Sequence, residues 1–325
     1  MNSTQNSNAP SGLAIKIDEY LEYLEVEKGS SPLTIRDYKH YLTRFLEWLK
    51  KENIHLGISD INPEVIRQYR VFLSRLTSGG GKNHGEERTL SRKTQGYHVI
   101  AIRSFLRYLI KRDQKVMSPD KIDLPKIEER QVKFLSGEQV DKILNSPSLS
   151  TIQGKRDKAI LEVLFSTGLR VSELAKLDRD KLNLETREFG VVGKGGKARV
   201  VFLSARAVKY LEEYLKVRDD HFNPLFIRHK GKTDPSTPDE KMRLTVRSVQ
   251  RMIKKYGEKM KLPIDVTPHV LRHSFATDLL IAGADLRSVQ EMLGHKNVST
   301  TQIYTHVTNK QLRDVHEAFH GKGGD

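Results

Sequence analysis

Apolar residues along the first hundred positions recur at intervals of three and four, the period of helices with one buried face. Ile17, Tyr20, Leu21 and Leu24 predict a helix beginning near Ala14. After Gly29-Ser30-Ser31-Pro32 a second helix is expected. Ser31 is its N-cap and Pro32 its first residue, where proline sacrifices no helical hydrogen bond. Its apolar side is expected to hold Leu33, Tyr38, Tyr41, Leu42, Phe45, Leu46 and Leu49. Ile61-Asn62-Pro63 opens a third helix carrying Val65, Ile66, Tyr69, Phe72, Leu73 and Leu76. The glycine-rich stretch Thr77 to Gly85 predicts a flexible insert without regular structure. Ser91-Arg92-Lys93-Thr94 then starts a fourth helix that runs through Leu109.

Residues 13–117 therefore read as an all-helical domain. Residues 118–133, with two prolines and alternating charges, read as a linker. A second domain is expected over 134–325. Ser136 caps a helix through Leu144, and another runs from about Lys155 to Phe165. Thr167-Gly168 breaks it, and Leu169 to Leu177 restarts it. The pattern then changes. Glu188 to Gly193 and Arg199 to Leu203 read as two strands joined by the basic turn Lys194-Gly195-Gly196-Lys197. Helices resume near Ala205. The expected fold is mainly α, an all-helical domain followed by an α+β domain with a small antiparallel sheet.

Charge changes the picture more than length does. Lysine and arginine number 56 against 41 acidic residues, for a net charge of +15. A balance that far from zero points to a polyanionic partner, nucleic acid first. An anionic membrane surface is the rival, but no basic amphipathic helix or lipidation signal stands out, and no apolar run is long enough to span a bilayer. Met1 to Gly12 is polar and Asn/Ser-rich, unlike a secretory signal, and is expected to be a disordered tail. The chain contains no cysteine, which excludes disulfides, thiolate catalysis and cysteine zinc sites and fits a cytoplasmic protein.

Candidate chemistry gathers in the second domain. Thr267-Pro268 starts a helix that places His269 and Arg272 on one face. Asp285 caps the next helix, Gly294 ends it, and His295 follows. Ser299-Thr300-Thr301-Gln302 matches a capping box that puts Tyr304 near the start of a short helix. Upstream, Arg170 stands at a helix start and Lys194 at the hairpin tip, where Lys197 competes with it. Two guanidinium groups can hold two phosphate oxygens and offset the charge of a pentacovalent transition state. Tyrosine is a covalent nucleophile when its phenolate is stabilised. A metal-dependent hydrolase is the alternative, because His269 and His273 have zinc-ligand spacing and His295 would complete the set. Against it, no glutamate follows His269, and two arginines repel a dication. Arg92, Lys93, Arg103 and Arg107 lie along one helix and are candidates to meet DNA phosphates.

Five segments in this order resemble the tyrosine recombinases, and the Xer subgroup in particular. They are Thr-Gly-Leu-Arg-Val-Ser-Glu-Leu at 167–174, Gly-Lys-Gly-Gly-Lys at 193–197, and Pro-His-Val-Leu-Arg-His-Ser-Phe-Ala-Thr at 268–277. Leu-Gly-His at 293–295 and Ser-Thr-Thr-Gln-Ile-Tyr-Thr-His at 299–306 complete them. The resemblance implies site-specific DNA cleavage and rejoining through a 3′-phosphotyrosyl intermediate, without metal, ATP or other cofactor. It implies that Arg170 and Arg272 clamp the scissile phosphate, that Lys194 is the general acid, and that Tyr304 is the nucleophile. His269 would be an acid/base or proton shuttle, His295 a phosphate ligand, and Glu173 a support that orients the site. It also implies a C-shaped clamp, in which a SAM-like core-binding domain and a catalytic domain grip double-stranded DNA with a short near-palindromic site. Four protomers would assemble on two sites, each docking a C-terminal helix into its neighbour, with Lys310 to Phe319 as the candidate helix. The task would be chromosome dimer resolution or the integration and excision of a mobile element. A binding-only architectural DNA protein is the remaining alternative, which the intact Tyr304 and both arginines oppose. The chain departs from the family pattern in the insert near 78–88 and in the long stretch Arg228 to Arg243.

Overall fold

The computed structural model describes residues 12–52, 54, 57–78, 88–125, 133–193, 196, 198–231 and 236–294. The chain divides into two compact units, Met1–Glu129 and Arg130–Asp325. No helix among the described residues is long and apolar enough to cross a membrane.

The first unit is built from α1 (Gly12–Val26), α2 (Pro32–Lys51), α3 (Pro63–Arg75) and α4 (Arg92–Lys111). Local chemistry sets their starts. Ser31, Asn62 and Ser91 each accept a hydrogen bond from a backbone N–H in the first turn that has no helical partner. The faces so aligned bury an aromatic core of Tyr20, Phe45, Trp48, Tyr69 and Phe105 among leucines and isoleucines.

Two expectations need correction here. The insert is not irregular from its first residue. Thr77–Ser78 forms β1, paired antiparallel with β2, Arg88–Thr89. Backbone pairing at the base closes the excursion before the glycines begin, and 79–87 lie outside the described residues. The second correction concerns the linker. Pro119–Lys121 makes a single turn that packs on α4, and Ile122 is buried in the aromatic core. Asp123 holds this strap further by accepting a hydrogen bond from Arg70 at its carbonyl. One well-buried isoleucine outweighs a polar, proline-containing context, because burial of apolar area is the larger energy.

The second unit opens with α5 (Gly137–Leu144), capped reciprocally by Ser136 and Gln139. α6 (Ile152–Thr167) is its central helix, buried almost all round through Ala159, Ile160, Leu161, Val163 and Leu164. It packs on α5 and on two later helices, Ala205–Leu215 and Pro268–Ile281. Gly168 ends it in the left-handed conformation, and α7 (Val171–Leu174) lasts one turn. The expected restart to Leu177 fails because the next carbonyls are taken sideways. Arg243 donates to Ala175 O and Leu177 O, and Leu225 N–H also donates to Leu177 O. β3 (Glu188–Val192) and β4 (Ala198–Phe202) form an antiparallel hairpin, followed by α8 (Ala205–Leu215).

The stretch from 228 to 243 is a closed excursion. Arg228 N–H donates to Met242 O at 2.9 Å, and Leu244 N–H to Phe226 O at 2.8 Å. It contains the single-turn α9 (Asp239–Met242). α10 (Val246–Lys259), α11 (Pro268–Ile281) and α12 (Leu286–Leu293) complete the described residues.

Candidate active site

The site grows from the N-terminus of α11. Thr267 caps the helix and Pro268 occupies its first position. Val270, Leu271, Ser274 and Phe275 turn into the unit, and Arg272 is carried in with them until only 5% of it is exposed. A guanidinium that deep must be hydrogen-bonded. Arg272 Nη1 donates to Gly168 O and Nη2 to Leu293 O, each at 2.6 Å. Gly168 is obligatory at this crossing. A Cβ there would lie 2.5 Å from the Phe275 ring, on a backbone already at φ 59°.

Arg170 enters from the N-cap position of α7. Its backbone N–H donates to Glu173 Oε2 at 2.8 Å and its Nη1 to Oε1 at 3.0 Å. Nη2 reaches Gly294 O at 3.4 Å. Arg199, on β4, supplies a third guanidinium. Its Nη1 and Nη2 bind the two Glu173 oxygens at 3.1 and 2.9 Å, and its Nε donates to Met292 O at 3.1 Å. Three arginines thus end on the successive carbonyls of Met292, Leu293 and Gly294. These are carbonyls left without helical partners at the negative end of the α12 dipole. A patch that gathers guanidinium groups around oxygen acceptors in this way has the charge and donor geometry to receive a phosphate.

Burial raises the pKa of Glu173, but hydrogen bonds from Arg199 and Arg170 outweigh it and hold the carboxyl below its ordinary value. His269 stands beside the clamp with its surface partly in solvent. Partial desolvation, then the charges of Arg272 and Arg170, lower its pKa. The ring is therefore neutral near pH 7 and able to accept a proton. His273, one turn on, is pushed down to about 4 by burial, His269 and Arg272. The same guanidinium field opposes a dication held by His269 and His273.

The structure thus brings together Arg170, Glu173, His269 and Arg272. Lys194, Lys197, His295, Tyr304 and the segment Lys310 to Phe319 lie outside the described residues. In the first unit Arg92 and Lys93 are exposed at the start of α4. Arg103 and Arg107 converge on one carboxylate, Asp120, at 3.2 and 3.7 Å. Sequence reasoning missed Arg199. Its signal was strand alternation, which puts Arg199 on the inward face with Val201, opposite Val191.

Comparison with known proteins covers both units. Residues 133–311 match the model of the phage integrase family, and residues 17–113 match that of the phage integrase N-terminal SAM-like domain. The tyrosine recombinase XerC of Pelotomaculum thermopropionicum is 36% identical over 323 residues, covering 94% of this chain and 98% of the relative. The tyrosine recombinase XerD of Listeria innocua is 38% identical over 317 residues, covering 94% and 98%. Among solved structures, the XerH site-specific recombinase bound to palindromic difH substrate in a post-cleavage complex aligns with a TM-score of 0.65. That alignment, at 24% identity, covers 93% of this chain and 83% of the other and is a likeness of fold.

Proposed function

This chain belongs to the phage integrase family of tyrosine recombinases, and on that premise we propose how its residues divide the chemistry. It is a site-specific recombinase, an enzyme that cleaves and rejoins DNA. In our reading Arg170 and Arg272 hold the non-bridging oxygens of the scissile phosphate and offset the charge of the transition state. Tyr304 attacks phosphorus through its phenolic oxygen. A 3′-phosphotyrosyl bond forms, the bond to the 5′-oxygen breaks, and Lys194 gives that oxygen its proton. His269 takes the proton that Tyr304 loses, His295 adds a hydrogen bond to the phosphate, and Glu173 orients Arg170. The reverse attack by a 5′-hydroxyl rejoins the strand, so bond energy is conserved and neither metal nor ATP enters.

The observation that carries this reading is the convergence of Arg170 and Arg272 on adjacent carbonyls of α12, beside a neutral His269. The partner is double-stranded DNA. We propose further that its site is short and near-palindromic, and that four protomers assemble on two sites through exchange of Lys310 to Phe319. The SAM-like unit and the second unit would each meet the duplex, with Arg92, Lys93, Arg103, Arg107 and Lys197 on its phosphates. The setting we propose is cytoplasmic, in chromosome dimer resolution or in movement of a mobile element.

Covalent capture from a randomised duplex pool tests the proposal and yields the site. The full chain should form a protein–DNA adduct on a duplex nicked beside the captured position, in excess EDTA. Tyr304→Phe should bind the same duplex and form none. Adduct formation by Tyr304→Phe removes Tyr304 from its role, and loss of activity in EDTA revives the three-histidine metal site.

A further inference from the structure

Arg199 is a fully engaged side chain near the clamp. All three of its nitrogens are engaged, on Glu173 Oε1, Glu173 Oε2 and Met292 O. Its side chain is 11% exposed, and that of Glu173 is 6% exposed. The aliphatic stem passes under Gly294, the residue that ends α12. A Cβ on Gly294 would lie 3.1 Å from Arg199 Cδ, and the backbone there is at φ 65°. One residue therefore ties together β4, the start of α7 and the end of α12.

The charge arithmetic gives this tie a consequence. Glu173 faces two guanidinium groups. Left with Arg170 alone, the carboxylate would form a neutral pair with a residue that needs its charge for phosphate. With Arg199 bidentate on the same carboxylate, the group of Arg170, Arg199 and Glu173 carries one net positive charge. Bidentate carboxylate binding through two guanidinium nitrogens is the geometry in which arginine excels and for which lysine has no fork. We propose that Arg199 is a positioning residue for strand cleavage, which takes up the charge of Glu173 so that Arg170 remains a cation toward the scissile phosphate, and which holds the end of α12 at the clamp.

This inference rests on the reading of Arg170 as a phosphate ligand, and the test separates the two. Single-turnover adduct formation is measured with the full chain on the nicked duplex captured above. A second duplex carries a methylphosphonate, which lacks the phosphate's negative charge, at the scissile position. Arg199→Gln should slow cleavage of the phosphodiester by about 100-fold, the effect of removing one preorganised electrostatic group. Duplex affinity should change by no more than about threefold, since phosphate contacts elsewhere supply it. The double variant Glu173→Gln/Arg199→Gln should recover at least about tenfold, because without the carboxylate Arg170 is again unpaired in charge. The gap between Arg199→Gln and the parent should narrow on the methylphosphonate, where less charge has to be offset. Arg199→Lys keeps the charge, should stay folded by its thermal midpoint, and should fall between Arg199→Gln and the parent. Equal losses on both substrates, with no recovery in the double variant, would overturn the proposal and leave Arg199 a structural tie. If Arg170→Gln cleaves the phosphodiester normally, the reading of Arg170 fails. If Arg170→Gln is inactive and Arg199→Gln is not, only the inference about Arg199 fails.

Discussion

The two compact units treat buried polar groups in opposite ways. Among the described residues, the first unit buries no lysine, arginine, aspartate or glutamate, and its buried histidine, His98, is set in a nest of rings. Phe45 and Tyr69 lie 4.9 Å apart and Tyr20 and Phe105 5.6 Å apart, close to the spacing that aromatic pairs prefer. The second unit buries ions. Lys158 and Glu162 meet at 2.7 Å, each 3% exposed, while Arg218 with Asp220 and Glu173 with Arg199 add further pairs. A buried ion pair gains little net stability over an apolar one, but breaking it is costly, so it fixes geometry more than it adds stability. The first unit needs only to be a stiff body. The second must hold cations still, and it does so with carboxylates and carbonyls on elements distant in sequence.

Four changes would break or sharpen that contrast. The largest is expected from Arg272→Ala. It removes a proposed phosphate ligand and leaves Gly168 O and Leu293 O without their donor. Cleavage per folded molecule should fall about 100- to 1,000-fold. Stability should drop by about 1–3 kcal/mol for each carbonyl left unpaired. A core truncation in the first unit, Leu73→Ala, should cost a comparable 2–5 kcal/mol by roughly the usual cavity effect, while cleavage per folded molecule stays intact. Adduct rates and denaturant midpoints measured side by side check both halves.

Next comes the buried ion pair. Lys158→Met alone leaves Glu162 with Arg206 as its remaining partner at 2.7 Å and should destabilise the second unit by up to about 3 kcal/mol, and Lys158→Met/Glu162→Leu by less. A double variant as unstable as the single one would mean that the pair does stabilise the fold.

The third change is acid. Burial, followed by the charges of Arg44 and His40, pushes His98 down to about 4. The unfolded chain accepts this proton below the ordinary histidine value of 6.5 and the folded one does not. Stability is therefore full above pH 6.5, falls as pH drops toward 4, and levels off below. The loss is about 3 kcal/mol if the whole shift is realised. His229 and His273, both also pushed to about 4, give the second unit the same phase. Below that, the second unit should lose a further increment, as the lowered carboxyls of Glu173, Asp178 and Asp220 are protonated. Unfolding followed by a probe in each unit across this range checks the sign. Stability that rises between pH 6.5 and 4 would contradict it.

The smallest effect belongs to Tyr69→Phe. It deletes the 3.1 Å hydrogen bond to His98 Nδ1 and leaves the rings packed. The cost should be about 1 kcal/mol, read from the denaturant midpoint.

Helix starts were legible because they are local. Ser31, Asn62, Ser91, Ser136, Thr267 and Asp285 each cap their own first turn, with partners two or three residues away. The hairpin was legible for the same reason. The end of α7 was not, because Arg243 unwinds it from some distance along the chain. The strap around Ile122 was not, because a lone isoleucine carries no period. In the site, the pairing of Arg170 with Glu173 follows from a helical spacing. Arg199 was invisible as a partner of Glu173, since the fold alone brings β4 against α7 and α12.

By itself, then, the sequence determined the helical periods, their caps, the basic balance and the residue types able to handle a phosphate. Each depends on neighbours within a turn or on simple summation. Tertiary structure alone decided which acceptors those guanidinium groups face. Packing α11 and β4 against the end of α12 makes three carbonyls the shared floor of the clamp. A buried cation must take whatever oxygen the fold delivers, because no water reaches it to substitute.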